Sequence, residues 1–294
     1  VAVVVLTLGA SACGEAGQPS TPAVPSPAGT AADGSPPEAP RSFALALGLD
    51  ADDPDVAQRL TAYDLVVVDG TDTAPATVAE LRAAGTTVLG YLSVGTLEPG
   101  RPWFREAQRN GWLLERWERW NEWYADLRAP GLQELLRGVA ADVLAAGFDG
   151  LFLDNTDLPE VHPEQAAAMQ ALVRALDDLV GPRRLLFAQN GDPQGSGLAQ
   201  HLDGWNREDV TFTFDAEADG YVPIDAADQA DAIEQLRALG DAGLVVTTTD
   251  YLAGTDQMLI DEAAAVACGA GALPFVADID LTQLPDEPLT CRPQ

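Results

Sequence analysis

The sequence predicts a closed (β/α)8 barrel of the α/β class, a TIM barrel, behind a lipoprotein-type signal and a disordered linker. Three observations carry that expectation. Eight apolar, β-branched runs recur from residue 41 onward, segments with helical spacing of apolar residues alternate with them, and no glycine-rich dinucleotide fingerprint follows any run. The count favours closure, and an open α/β sheet of similar content is the alternative.

The strands are read over 43–49 (FALALGL), 64–70 (DLVVVDG), 86–95 (TTVLGYLSVG), 149–155 (DGLFLDN), 184–190 (RLLFAQN), 202–208 (LDGWNRE), 243–251 (GLVVTTTDY) and 271–278 (GALPFVAD). Helical periodicity fills 74–85, 131–147, 164–180, 228–240 and 256–269 between them. Several of these segments end in glycine just before the next strand, as helix C-cap chemistry requires. After the third strand comes a segment of roughly 35 residues, longer than a mere connector and typical of a functional lid or binding loop.

A chain of 294 residues, 47% of them apolar, is long enough for one barrel or two smaller cores. Its 16 basic residues, all arginine, face 46 Asp plus Glu, a formal charge of −30. Such a surface repels nucleic acid and suits neutral or cationic partners, although a solvated surface or adaptation to salt is the simpler reading of the charge. The first forty residues lie outside the predicted fold. Val1 to Leu8 is an apolar run too short to span a membrane, and Ala-Ser-Ala precedes Cys13. That arrangement resembles a bacterial lipoprotein box with Cys13 as the lipidated residue; an ordinary cleaved signal peptide is the alternative. Either reading implies export. Residues 14–40, rich in Pro, Ser, Ala and Gly, read as a flexible tether, 41–285 as the folded domain and 286–294 as a tail. Without Cys13, Cys268 and Cys291 remain as a pair that an oxidising exterior permits to form a disulfide pinning the tail to the last helix.

In a barrel, chemistry sits where strands end. Asp69, Ser93, Asp154 with Asn155 and Asp157, Gln189 with Asn190, Glu208, Asp250 with Tyr251, and Asp278 all fall there. A ring of carboxylates and amides suits sugar hydroxyls, while Asp69 and Asp278 taken singly read as turn residues. Five of six tryptophans, Trp103, Trp112, Trp117, Trp120 and Trp123, lie in the long segment, and Trp205 lies in the sixth strand. Aromatic faces stack on sugar rings and on cations; equally, such a cluster can simply cover the barrel. His162 and His201 lack metal-ligand spacing, and 154–160 (DNTDLPE) lacks the glycine and terminal glutamate spacing of a calcium loop, so no metal and no cofactor is expected.

The blocks 86–99 (TTVLGYLSVGTLEP), 120–128 (WNEWYADLR), 147–157 (GFDGLFLDNTD), 203–208 (DGWNRE) and 244–251 (LVVTTTDY) resemble the glycoside hydrolase family of endo-α-1,4-polygalactosaminidases, family 114, over roughly residues 42–280. The resemblance implies a (β/α)8 barrel and endo-hydrolysis of partly deacetylated, hence cationic, α-1,4-linked galactosamine polymers. It places the catalytic aspartate on Asp154 and the catalytic glutamate on Glu208, with Asp209 as the substitute in an adjacent register.

Glycoside cleavage needs one protonated carboxyl and one carboxylate flanking the bond, which strands four and six can supply. Asp154 is expected to be the ionised member, hydrogen-bonded by Asn155 and Asn190, and Glu208 the acid, raised by apolar contact with Trp205 or the loop tryptophans. Tyr91, Ser93, Trp123, Asp126, Arg128, Asn155, Asp157, Gln189, Asn190, Trp205, Asp250 and Tyr251 are expected to bind substrate. The expected picture is a monomeric, exported, lipid-anchored glycoside hydrolase. A non-catalytic carbohydrate-binding lipoprotein on the same barrel is the alternative.

Overall fold

A computed structural model describes residues 39–254 and 256–291. Cys13, the signal and nearly all of the tether fall outside the described residues. Strands β1 (Phe43–Leu45), β2 (Leu65–Asp69) and β3 (Thr87–Ser93) open the barrel, separated by helices α1 (Pro54–Leu60) and α2 (Pro75–Ala83). The tryptophan-rich segment follows with β4 (Thr96–Leu97), α3 (Phe104–Asn110), β5 (Leu113–Trp117) and β6 (Glu122–Ala125). Helix α4 (Pro130–Ala145), β7 (Gly150–Asp154), α5 (Leu158–Val161), α6 (Ala166–Val180), β8 (Leu185–Gln189) and β9 (Gly204–Glu208) come next. The chain closes with β10 (Phe212–Asp215), β11 (Gly220–Pro223), α7 (Ala226–Asp241), β12 (Val245–Tyr251), α8 (Gln257–Gly269) and β13 (Leu273–Ala277).

The eight predicted strands form one parallel sheet in the order β1-β2-β3-β7-β8-β9-β12-β13. The sheet curls into a nearly closed barrel, and at the seam the Phe43 and Phe275 rings meet edge to face at 6.1 Å. Strand interiors such as Val66, Val67 and Val68 are fully buried, as expected when helices cover the outer face and side chains fill the inner one. Helix α6 buries Met169, Leu172, Val173, Leu176 and Val180, the i, i+3, i+4, i+7 stripe of an amphipathic helix. Pro54, Pro75 and Pro130 start α1, α2 and α4, where a missing N–H costs nothing, and Asp53 and Asp225 cap α1 and α7 by accepting backbone N–H groups. Gly204 is required by packing: a Cβ there would stand 2.2 Å from the Phe187 ring that fills the barrel interior.

The long segment after β3 differs from the expected loop. It carries α3 and a three-stranded antiparallel sheet, β4-β6-β5, that covers one side of the barrel mouth. β4 has only two residues, and β5 and β6 are short and half-exposed, with tryptophan and arginine among them, so no clean alternation stands out. The β10–β11 hairpin was missed because its two four-residue strands are too short and too exposed to show a period.

Cys268 of α8 and Cys291 form a disulfide, with a Cα–Cα distance of 5.4 Å and 23 residues of separation. Leu289 beside it packs on a small core of Phe212, Leu252, Ala263 and Val276. The tail is thus pinned to the last helix. Replacing both cysteines by serine is expected to cost about 3 kcal/mol from lost loop-closure restraint, which corresponds to a drop in Tm on the order of 5–10 °C. Thermal unfolding with and without reductant checks this: reductant should lower the wild-type Tm and leave the double variant unmoved.

Candidate active site

Strand β7 buries Leu151, Phe152 and Leu153 and ends on Asp154. The next residue, Asn155, has φ 58°, and the same left-handed turn follows β8 at Asn190 (57°) and β9 at Asp209 (56°). Asn and Asp enter that region at least cost among side-chain-bearing residues. Three neighbouring strands therefore each deliver a polar side chain, Asp154, Gln189 or Glu208, and then turn sharply away.

Asp154 accepts three hydrogen bonds: from the Tyr91 hydroxyl at 2.6 Å, from Gln189 Nε2 at 3.0 Å and from the Asn155 backbone N–H at 2.7 Å. Gln189 is itself oriented, because Asn206 Nδ2 donates to its Oε1 at 2.8 Å and the Thr247 hydroxyl donates to Asn206 Oδ1 at 2.7 Å. On the neighbouring strand Glu208 accepts from Asn190 Nδ2 at 2.6 Å and from the Tyr251 hydroxyl. The Glu208 backbone N–H donates back to Asn190 Oδ1 at 3.1 Å, so one amide holds both ends of the residue. Such second contacts fix a functional side chain in one rotamer.

Burial pushes the Glu208 carboxyl up to about 8, the Asp154 charge adds to that, and the Tyr251 hydroxyl and Asn190 oppose it. Burial also raises Asp154, against its three donors. Burial and the adjacent carboxylates hold Tyr91 and Tyr251 far above the usual phenol value, so both stay hydroxyl donors. Beside this pair lies a second set of contacts. Asn155 Nδ2 donates to Ser93 Oγ at 3.0 Å and Thr96 Oγ1 at 3.1 Å, and Thr96 donates to Glu122 of β6 at 2.5 Å. Burial, with Glu98 and Asp154 nearby, raises Glu122 to about 7. Asp157, at the entry of α5, rises to about 6 through burial and the charges of Asp154 and Glu160. Two clefts flank it. One of about 410 Å³ is walled by Trp117 and Tyr124, whose rings stack at 5.6 Å, and one of about 480 Å³ runs past Asn190 and Gly191.

Asp154 and Glu208 thus sit on nearby strand ends at the C-terminal mouth of the barrel with different hydrogen-bond partners, and comparison with known proteins decides the family. Residues 24–290 match Glycoside-hydrolase family GH114. The chain belongs to that family. It is a glycoside hydrolase, resembling the endo-α-1,4-polygalactosaminidases. The glycoside hydrolase domain of PelA from Pseudomonas aeruginosa is similar at 27% identity and a TM-score of 0.71, covering 84% of this chain and 98% of that one. Ega3 of Aspergillus fumigatus, solved in complex with galactosamine, shares the fold at 17% identity and a TM-score of 0.64, with 87% and 98% coverage. An uncharacterised protein of Deinococcus radiodurans is 28% identical over 247 residues, 78% of this chain and 77% of its own length.

Within this GH114 site, Tyr91, Gln189, Asn190 and Tyr251 gather around the two carboxyls, and Ser93 and Asn155 adjoin them. Asn190 was expected on Asp154 and instead holds Glu208, because the left-handed turn swings its amide toward β9. Trp205 is not a sugar platform. It is fully buried, and its indole N–H donates to the carbonyl of Asn190, the residue whose side chain holds Glu208, at 2.9 Å. Asp250 is likewise withdrawn from the barrel mouth: it is 1% exposed, and its Oδ1 accepts from the backbone N–H groups of Val210, Thr211 and Phe212. Asp126 pairs with Arg128 at 2.8 Å and accepts from Gln165, apart from the carboxyl network. Trp123 packs edge-on to Phe104 at 5.3 Å under the Arg116 guanidinium. Sequence reasoning missed Asn206 and Glu122. Asn206 was findable, since it is two residues before Glu208 on the same strand and so shares its face. Nothing in the sequence brings the face of β6 to Asp154. Asp69 and Asp278 are turn residues, accepting from Thr71 and Thr282.

Proposed function

We propose that this chain cleaves internal bonds of an α-linked galactosamine-type polysaccharide, with Glu208 as proton donor and Asp154 as the ionised partner. The observation that carries the reading is the asymmetry of the pair. Asp154 has three donors, while Glu208 is held up to about 8 by burial and by the Asp154 charge. A carboxyl held up to about 8 keeps its proton at neutral pH, so Glu208 is assigned as the acid; the charge of the pair is assigned to Asp154, whose three donors oppose the upward push of its burial, and glycoside hydrolysis requires that division. Glu208 gives its proton to the glycosidic oxygen as the C–O bond breaks. Asp154 stabilises the positive charge that develops at the anomeric carbon, and water adds its hydroxyl there while its remaining proton passes to the deprotonated Glu208, restoring the acid.

The galactosamine bound to Ega3 supports an amino-sugar substrate. So does the formal charge of −30, which favours a cationic polymer over an anionic one. Cys13 is proposed as the lipid anchor and residues 14–40 as the tether that holds the barrel off the outer face of the membrane.

The test is product analysis on three polymers: partly deacetylated α-1,4-galactosamine polymer, its fully N-acetylated form, and an uncharged α-galactan. Oligomers released from the first in preference to the other two are expected, with a rate that falls as salt is raised. Equal or faster cleavage of the uncharged galactan would reject the amino-sugar assignment.

A further inference from the structure

Asp250 is the most completely buried carboxyl near the site, and it touches neither Asp154 nor Glu208. Its Oδ1 collects three consecutive backbone N–H groups, from Val210 at 3.1 Å, Thr211, and Phe212 at 2.9 Å. Its Oδ2 is buried without a protein partner. Those three N–H groups begin two residues after Glu208, just past the left-handed turn at Asp209. Three donors on one oxygen fix the path of a loop more firmly than any single contact, because each bond constrains a different peptide plane. The next residue on the same strand, Tyr251, donates its hydroxyl to Glu208. β12 also pairs with β9 in register, Thr249 beside Glu208, and accepts the Asp209 N–H at 3.0 Å.

We propose that Asp250 is a positioning residue that holds the catalytic carboxyl of Glu208 in place by clamping the chain immediately after it. Residues 250 and 251 act as a two-point clamp: Asp250 grips the backbone from outside the barrel wall, and Tyr251 grips the carboxyl from inside. The strand alternation requires this division, since adjacent residues point to opposite faces. Burial pushes the Asp250 carboxyl up to about 7 against the pull of its three donors, with Asp209 the charge that faces it. The groups facing Glu208 are Asp154 from β7, Tyr251 from β12 and Asp209 beside it, so Asp250 works on Glu208 through geometry. The proposal rests on Glu208 being the acid.

Two readouts on the purified full chain separate the clamp from that assignment. The first is a carbon-13 carboxyl titration of Glu208, identified by its loss in Glu208→Gln, which needs no substrate. In Asp250→Ala, and in Asp250→Glu where the clamp is displaced by one methylene, the Glu208 titration should move down from about 8 as the site loosens. Asp250→Asn, which keeps an acceptor at Oδ1, should leave it near the wild-type position. The second readout is kinetic: kcat should fall roughly 10²-fold in Asp250→Ala with little change in KM, the signature of a misplaced group. A folded Asp250→Ala or Asp250→Glu variant with an unmoved Glu208 titration overturns the clamp, even if Glu208→Gln abolishes cleavage. Should Asp250→Ala not fold, the Asp250→Glu titration decides alone.

Discussion

Replacing Glu208 by glutamine is expected to lower kcat by roughly 10²–10⁴-fold while KM changes little, because a general acid acts in the transition state and not in substrate binding. The substitution is nearly neutral for the fold. Asn190 Nδ2 and the Tyr251 hydroxyl now donate to the two oxygens of Glu208. A glutamine can keep its oxygen toward Asn190 and turn its NH2 toward Tyr251, whose hydroxyl can accept as well as donate. Loss of rate without loss of Tm is the expected result, measured by reducing-end release and thermal unfolding on one preparation. The same change at Asp209 should be mild, because Asn190 and Tyr251 converge on Glu208 and not on its neighbour.

Asp154→Asn is expected to cost a similar factor, by removing the negative charge that faces the developing positive centre. Here too the hydrogen bonds can persist: the amide oxygen takes the place of Oδ1 between Gln189 and the Asn155 N–H, and the amide NH2 faces the Tyr91 hydroxyl. The variant carries a second consequence. After burial, the Asp154 charge is the largest cause of the raised Glu208 value, so its removal should move the Glu208 titration below about 8. Residual activity in Asp154→Asn should therefore decline at lower pH on the alkaline side than it does in the wild type. The two substitutions combined should cost little more than either alone, as expected of groups that act as a unit.

The barrel was legible because its strands are continuous apolar runs with few competing readings, and 64–70 and 149–155 each contain the strand that forms there. The short helix α1 was not, since seven residues give too little periodicity to recognise. The placement of Asp154 and Glu208 on the ends of their strands was legible from the strand pattern. A physical signal lay beside them: each of the three delivering strands is followed by Asn or Asp, residues suited to the left-handed turn found at 155, 190 and 209. Inside-outside phase was legible but unused: Asn206 lies two residues from Glu208 and Trp205 three, which puts them on opposite faces. Trp205 and Asp250 lie one residue from Asn206 and Tyr251, yet period-two alternation sends each to the opposite side of the barrel wall from its neighbour. An aromatic or acidic residue near a strand end is therefore a substrate contact only if its phase matches the inward set. Glu122 was hidden for a different reason, because its approach to Asp154 depends on the β4-β6-β5 sheet folding over the mouth.

The central claim is that Glu208 enters the reaction protonated, and the pH dependence of kcat/KM tests it most directly. An acid must hold its proton, so activity should fall as pH rises through about 8 in the wild type, while the acidic limb belongs to Asp154, which must stay charged. In Glu208→Gln, where no proton can be lost at that position, the residual activity should show no alkaline limb in that range. An alkaline limb that survives unchanged in Glu208→Gln would contradict the account and assign the proton to another group.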